Sequence, residues 1–419
     1  MQKQTFIYFS MVATIFYTII LIFILEFLLG RTLSYLNIQY SKRPLPDLLS
    51  DIYDAQKYKK QQSYFRTRAK FGWFSSCLSF LFLLLMFVFG GYAWIDDFAQ
   101  NFVENEILVT LFFFGFLMIV NVVIDLPFDL YYTFVIEEKF GFNRTTPKIF
   151  FLDMLKGLLL NMLIGGILIS VIAFIYQQMP NWFWLLAWGV LTAFMLFMNL
   201  FYSDLIVPLF NKQTPLEAGE LRTAIQQFAE KTNFKIQDIY VLDNSKRSTK
   251  ANAYFTGFGK KKRIVLYDTL IQQLTTEEIV AVLAHEIGHC KHRHTLKNVV
   301  ISLFSNLLLF FFLGIVLKYD VVAQAAGCTH ASFHINMLVF GMLYTPVSML
   351  LGICSNVFSR RFEYQADAFV KTYGNSDDLI SALKKISAQA LSNLQPHPLS
   401  VFFNYSHPTL YQRIIALKS

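Results

Sequence analysis

The residues best suited to chemistry are His285, Glu286 and His289, which fall within one short stretch of the chain. Residues four apart lie on one face of a helix, one turn from each other, so His285 and His289 can offer two imidazole nitrogens to one metal ion. Glu286 stands beside them, where its carboxylate can accept a proton from water. This spacing is typical of zinc-dependent hydrolases, although an ordinary helix with two surface histidines would also show it.

A catalytic zinc ion usually takes three protein ligands and leaves one position for water. Glu363 and Asp367, again four apart, lie in the segment SRRFEYQAD at 359–367, which we predict to be a helix continuing from the membrane. We predict that Glu363 is the third ligand and that Asp367 accepts the free ring N–H of a ligating histidine. The alternative is a solvated helix face in which Arg360 and Asp367 form salt bridges.

Other residues that could bind a metal have weaker positions. His292 and His294 lie three and five residues after His289, so on one helix they would point away from the metal, and we predict surface or membrane-interface histidines. The four cysteines show no paired spacing, and we predict neither a disulfide nor a metal ligand among them: Cys77, Cys290, Cys328 and Cys354.

The composition predicts the setting of these residues. The chain has 419 residues, of which 55% are hydrophobic and only 15% are charged, and its mean hydropathy is positive. Soluble proteins are about a quarter charged, so these values favour an integral membrane protein in a lipid bilayer. The net charge of +8 is explained by cationic loops on the cytoplasmic side, and we predict no nucleic-acid partner.

Apolar runs long enough to span a bilayer occur seven times. The predicted spans are Ile7–Leu29, Phe71–Trp94, Ile107–Ile124, Phe150–Tyr176, Trp182–Val207, Leu296–Leu317 and Phe333–Phe358. We therefore divide the chain into a membrane region at 1–209, a polar insertion at 210–295, two further spans at 296–358 and a C-terminal segment at 359–419.

The loop charges predict the orientation. The loop after span one carries nine Lys and Arg residues between positions 31 and 70, whereas the loop at 95–106 and the loop at 319–332 carry none. Because cytoplasmic loops are enriched in Lys and Arg, strict alternation places the N-terminus outside. The histidine pair and the C-terminal segment then both lie on the cytoplasmic side.

The polar insertion has the pattern of a small α+β module. We predict a helix at Pro215–Lys231, strands at 239–242 and 263–267, and a strand at 251–255 that enters a turn at 256–259. Thr275 followed three residues later by Glu278 is a capping-box signal, so the helix with the histidine pair should begin there and run over Thr276–His292. The predicted fold class is thus a mainly α-helical polytopic membrane protein, with this α+β domain inserted between spans five and six.

These motifs together resemble the Ste24 family of integral-membrane zinc metalloproteases, the type I CAAX prenyl proteases. The matching signatures are HEIGH at 285–289, SRRFEYQAD at 359–367, NAYFTG at 252–257, EEKFGFNRTT at 137–146, VPLFNK at 207–212 and SHP at 406–408. The resemblance implies seven membrane helices around a water-filled chamber, with one zinc ion at a site that closes its cytoplasmic side.

The resemblance also implies roles for individual residues. His285, His289 and Glu363 match the zinc ligands, and Glu286 matches the general base. Asn252 matches a substrate-binding strand edge, where an extended peptide could add as a strand, although it could equally be a turn former. The tail residues that match positions near the site, and could stabilise a developing oxyanion, are His407 and Arg413.

The implied activity is hydrolysis of peptide bonds at the cytoplasmic membrane face, which in family members removes the C-terminal tripeptide from prenylated CAAX proteins. One alternative is a bacterial protease for membrane-protein quality control that has no prenylated substrate. Another is a transporter with structural zinc, but a structural zinc site usually has four protein ligands, and the sequence offers no evident fourth ligand. The chain is compact for a eukaryotic member and ends without a Lys-Asp-Glu-Leu type signal, so we predict a bacterial inner membrane rather than the endoplasmic reticulum. We also predict a monomer.

Overall fold

The computed structural model describes residues 2–256 and 263–419, and it is mostly helical. In the first half, helices follow one another with short connections, and a π-helical turn at Tyr132–Glu137 joins two of them. Their bounds are α1 (Gln2–Tyr40), α2 (Ala55–Val88), α3 (Gly91–Phe102), α4 (Glu106–Tyr131), α5 (Glu138–Phe140), α6 (Pro147–Gln178), α7 (Phe183–Leu205) and α8 (Val207–Phe210).

A polar α+β segment follows, as predicted. It contains β1 (Gln213–Pro215), α9 (Glu220–Lys231), β2 (Asp238–Leu242), β3 (Ala253–Thr256), β4 (Arg263–Tyr267), α10 (Asp268–Gln273) and α11 (Thr276–Lys291). The sheet order is β1-β2-β4-β3, with β2 and β4 parallel and both outer strands antiparallel to their neighbours. The strand β3 therefore lies at one edge of the sheet. Apolar side chains of β2 and β4 pack against α9 and α11.

The last third returns to helices. They are α12 (His294–Val316), α13 (Val321–Ala325), α14 (Phe333–Tyr373), α15 (Ser376–Gln389), α16 (Pro398–Asn404) and α17 (Leu410–Lys418). The longest of them, α14, continues through the segment at 359–367 without a break, as the sequence predicted.

Within the described residues, seven helices are long and apolar enough to cross a membrane, which agrees with the predicted number. They coincide with α1, α2, α4, α6, α7, α12 and α14. Only 6–22% of the most apolar window of each is buried. Most of each window is therefore exposed, as expected of apolar helices that face lipid.

Several predicted bounds were wrong. The second span ends at Val88 rather than Trp94, because Gly90 adopts a left-handed conformation (φ 68°) that only glycine enters without strain and that separates α2 from α3. The helix predicted from Pro215 begins at Glu220, because Gln213–Pro215 pairs with β2 instead. Of the turn predicted at 256–259, residue 256 belongs to β3 and residues 257–259 lie outside the described residues.

Candidate metal centre

The helix that carries the histidine pair is fixed at its start. The Oγ1 atom of Thr275 accepts from the N–H of Glu278, and the N–H of Thr275 donates to Glu278 Oε2 at 2.9 Å, which confirms the predicted capping box. The other oxygen of Glu278 accepts from Ser381 Oγ and Lys385 Nζ, each at 2.6 Å. These bonds tie the first turn of α11 to α15 and so set the position of the helix.

The same helix approaches α14 closely at Gly288. A Cβ atom at this position would lie 3.0 Å from the Cα of Ala366 and 3.0 Å from the Cβ of Phe369. Such contacts are too short for a side chain, so glycine allows the two backbones to come together. As a result His285 and His289 on α11 face Glu363 on α14, although 74 positions separate His289 from Glu363 (363 − 289).

Three ligand side chains converge between these helices. The two Nε2 atoms of His285 and His289 lie 3.1 Å apart. Glu363 Oε1 lies 3.2 Å from His289 Nε2, and Glu363 Oε2 lies 3.4 Å from His285 Nε2. Among the residues that the structure describes, this is the one group of three or more His, Cys, Asp or Glu side chains placed to share a metal ion.

These distances fit a zinc ion. With Zn–N and Zn–O distances of about 2.0–2.1 Å, neighbouring ligands of a tetrahedral site are roughly 3.3 Å apart. Glu363 is only 4% exposed, and its Oε2 atom has no hydrogen-bond partner among the described residues, although Arg413 Nη1 lies 3.5 Å away. A buried carboxylate oxygen without a hydrogen bond is costly, whereas a cation between the three groups would satisfy it.

Glu286 lies next to this group and remains partly exposed. Its carboxyl group is nevertheless largely removed from water, and this desolvation raises the pKa of the carboxyl above the ordinary value. A carboxylate with a raised pKa is a better proton acceptor near neutral pH, which is what a general base needs. Its position and its environment therefore both suit the predicted role.

Asp367 takes the place predicted for it. Its Oδ1 atom lies 2.9 Å from Nδ1 of His285, so it can accept the ring N–H that remains when Nε2 binds a metal. The predicted alternative, a solvated face with Arg360 and Asp367 in salt bridges, is wrong, since Asp367 is 1% exposed. Arg360 instead donates to the carbonyl oxygens of Val401 and Tyr405.

The two tail residues reach the same cluster. Arg413 is buried and donates from Nη2 and Nε to Asp367, at 2.6 and 3.0 Å. Burial alone would lower the pKa of Arg413, but the bonds to Asp367 raise it above its ordinary value, so the guanidinium stays charged. His407 is exposed, and its Nε2 lies 3.3 Å from Glu363 Oε1. A role for either residue at an oxyanion stays a prediction.

The structure does not bring Asn252 into contact with the ligands. Asn252 is exposed and directly precedes β3; its Oδ1 accepts from the N–H of Ala253, and its carbonyl oxygen accepts from the N–H of Tyr267. In the described part of the chain no hydrogen bond joins Asn252 to the ligand group. The sequence predicted Asn252 within the strand, whereas the structure places it immediately before the edge strand, and its binding role stays a prediction.

The prediction for His294 was wrong. It is 2% exposed rather than a surface or interface residue, and its Nδ1 lies 3.0 Å from Nδ1 of His289. The prediction assumed one continuous helix, but α11 ends at Lys291 and α12 begins at His294. His292 is exposed, as predicted. The contact of His294 with Gln365 was also not anticipated, and the sequence carried no signal for it.

Two family models match the chain. Residues 34–212 match the model described as CAAX prenyl protease N-terminal, five membrane helices, and residues 215–419 match peptidase family M48. Together they cover the membrane region and the segments that form the ligand group.

Individual relatives indicate the same family as these models. The CAAX prenyl protease 1 homolog of Oryza sativa is 38% identical over 385 residues, covering 89% of this chain and 90% of that protein. The CAAX prenyl protease 1 of Saccharomyces cerevisiae is 33% identical, with 94% and 93% covered. The crystal structure of S. mikatae Ste24p superposes with a TM-score of 0.92 at 33% identity, covering 97% of this chain and 99% of that one. The chain therefore belongs to the CAAX prenyl protease family of M48 metalloendopeptidases and is an integral membrane protein of that family.

Proposed function

We propose that this protein is a zinc-dependent endopeptidase that cleaves CAAX-type C-terminal peptides at the cytoplasmic face of its membrane. The observation that carries the proposal is the convergence of His285, His289 and Glu363, with Glu286 beside them. This donor set of two imidazoles and one carboxylate is that of catalytic zinc sites, and one zinc ion accounts for it.

Different residues of the site have different roles in the proposed hydrolysis. When bound, a zinc ion supplies Lewis-acid chemistry that makes water nucleophilic near neutral pH. Glu286 takes the proton of the attacking water and passes it to the amine that leaves, for which its raised pKa is suited. Asp367 holds the ring of His285 in place, and Arg413 keeps Asp367 ionised in its buried position. The exposed His407 has its Nε2 beside Glu363, where it can donate to charge that develops on the substrate.

The edge strand β3 provides a place for an extended peptide. Among the described residues it pairs with β4 on one side and with no strand on the other, so its outer N–H and C=O groups are available for strand addition. Asn252 stands at the start of this edge and would bind the substrate there. The relatives named above are called CAAX prenyl proteases, which favours prenylated C-terminal peptides as the substrate class.

The proposed orientation rests on charge. The connection between α1 and α2 and the first turns of α2 are rich in Lys and Arg, whereas α3 and the loop after it carry only acidic charges. A reporter fusion at the C-terminus that is active only in the cytoplasm tests it. The identity of the membrane stays a prediction, and the relatives named above are eukaryotic.

The decisive experiment is a cleavage assay with purified protein and matched prenylated and unprenylated CAAX peptides. We expect the prenylated peptide to lose its C-terminal tripeptide, and Glu286→Ala to reduce this rate at least about 100-fold while zinc stays bound. Glu277→Ala, an exposed glutamate on the same helix, is the control and should cleave normally. Equal cleavage of both peptides would instead support the quality-control protease, and undiminished hydrolysis by Glu286→Ala would refute the assigned mechanism.

A further inference from the structure

A turn interrupts the helix just after the histidine pair. Helix α11 ends at Lys291, Arg293 adopts a left-handed conformation (φ 55°, ψ 37°), and α12 begins at His294. Non-glycine residues rarely take this conformation, which costs about 1–2 kcal/mol. Because of this turn, the side chain of His294 contacts His289 instead of pointing away from it.

The polar atoms of these residues form a chain. His294 Nδ1 lies 3.0 Å from His289 Nδ1, and His294 Nε2 lies 2.8 Å from Oε1 of Gln365. His289 directs Nε2 at the ligand group, so its ring proton must be on Nδ1, where it donates to Nδ1 of His294. His294 then carries its proton on Nε2 and donates to Gln365. Each donor meets one acceptor, and the tautomer of each ring is fixed.

His294 itself is held rigidly. It is 2% exposed, and its ring stacks on Phe362 with the centroids 4.3 Å apart and the planes inclined by 13°. Phe362 directly precedes the ligand Glu363 on α14, and Gln365 follows two residues later. The ring of His294 is therefore fixed by the same helix that supplies the third ligand.

We propose that His294 is a positioning residue that sets the tautomer and the ring angle of His289, and thereby the affinity of the site for zinc. The inference rests on the proposed zinc site. It also completes a pattern, because the other ligand, His285, has Asp367 as its acceptor. For His289, the imidazole of His294 takes the place of that acceptor, and the amide of Gln365 accepts in turn from His294. Loss of such an outer partner typically weakens metal binding 10–100-fold.

Two substitutions separate this role from simple packing. His294→Phe keeps a flat ring on Phe362 but removes the acceptor, whereas His294→Asn places Oδ1 where Nδ1 was but removes the ring. Zinc affinity of the full-length protein in detergent is measured by competition with a chelator. We expect His294→Phe to bind zinc about 10–100-fold more weakly than the wild type, and His294→Asn to recover most of that loss. His330→Phe, the same change at an exposed histidine between α13 and α14, should bind as the wild type does.

A second measurement uses activity. At limiting zinc His294→Phe should lose kcat/KM in proportion to its weaker binding, and excess zinc should restore most of it. Wild-type affinity in His294→Phe, or an Asn variant no better than the Phe variant, would overturn the inference while leaving the zinc site intact. A wild-type protein that binds no zinc would refute the proposed function itself.

Discussion

The ion pair behind the ligands makes the sharpest energetic prediction. Arg413 is 9% exposed and donates twice to Asp367, at 2.6 and 3.0 Å. Hydrogen bonds to charged groups contribute about 1.5–3 kcal/mol each, so the two bonds amount to about 3–6 kcal/mol. Removing one member of a buried pair costs about 3–5 kcal/mol, because the other charge is left unpaired. Asp367→Asn keeps one acceptor oxygen, so we expect it to lower the free energy of unfolding by about 3 kcal/mol.

The pair can be tested by a double-mutant cycle. Arg413→Met removes the guanidinium and should cost a similar amount, whereas the double variant leaves neither charge of the pair unpaired. We therefore expect the double variant to cost about 2–3 kcal/mol less than the sum of the single ones. The assay is unfolding of metal-free protein by SDS in mixed micelles, followed by tryptophan fluorescence.

An exposed pair provides the comparison. Lys384 contacts Asp51 at 2.7 Å, but the side chain of Asp51 is 64% exposed, so Asp51→Asn should change the unfolding free energy by no more than about 1 kcal/mol. Costs for Asp367→Asn and Arg413→Met that simply add, within about 0.5 kcal/mol, would refute the reasoning, since independent sites add to that precision.

Three further perturbations follow from the geometry. Glu363→Ala should abolish zinc binding, and metal analysis that finds full occupancy would remove Glu363 from the ligand set. Burial alone would raise the pKa of Glu278, but the ammonium and hydroxyl groups that contact it lower that pKa below its usual 4.5. Its stabilising effect is therefore complete at neutral pH and is lost as the pH falls below about 4.5, so the deficit of Glu278→Gln in melting temperature at pH 7 should shrink in acid. Gly288→Ala should lower the free energy of unfolding by about 1–3 kcal/mol and weaken zinc binding, because the added methyl group forces α11 away from α14. Gly352→Ala is the control, since no described atom lies within 4 Å of the added Cβ, and it should change neither quantity. Normal zinc affinity in Gly288→Ala would show that the close approach is not needed.

Much of the site was predictable because it depends on local spacing. A separation of four residues fixes which side chains share a helix face, so the pairing of His285 with His289 followed from the sequence. The same spacing predicted Glu363 and Asp367 on one face of α14, where both are buried and contact His285. The capping box at Thr275 gave the start of α11 for the same reason.

What the sequence could not predict depends on contacts between distant segments. The position of His294 requires a turn at Arg293, a residue type that gives no signal for the left-handed conformation. The strand at Gln213–Pro215 forms because β2 is available to pair with it, which outweighs the helical pattern after Pro215. Hydropathy likewise predicts only the apolar part of a helix, so it missed the polar first turns of α2.

The way the ligands are attached supports the proposal that hydrolysis occurs outside the hydrocarbon core. Twenty residues suffice to cross the core, and counted from Phe333 they reach Gly352. Glu363 lies eleven residues farther along the same unbroken helix, which at 1.5 Å per residue is roughly 16 Å beyond it. On the other helix, His294 stands at the first position of α12 and contacts His289. Two of the candidate spanning helices, α12 and α14, thus carry residues of the metal site, and a shift of either would move a ligand or its partner. The spans therefore do more than anchor the protein: they set the geometry of the site.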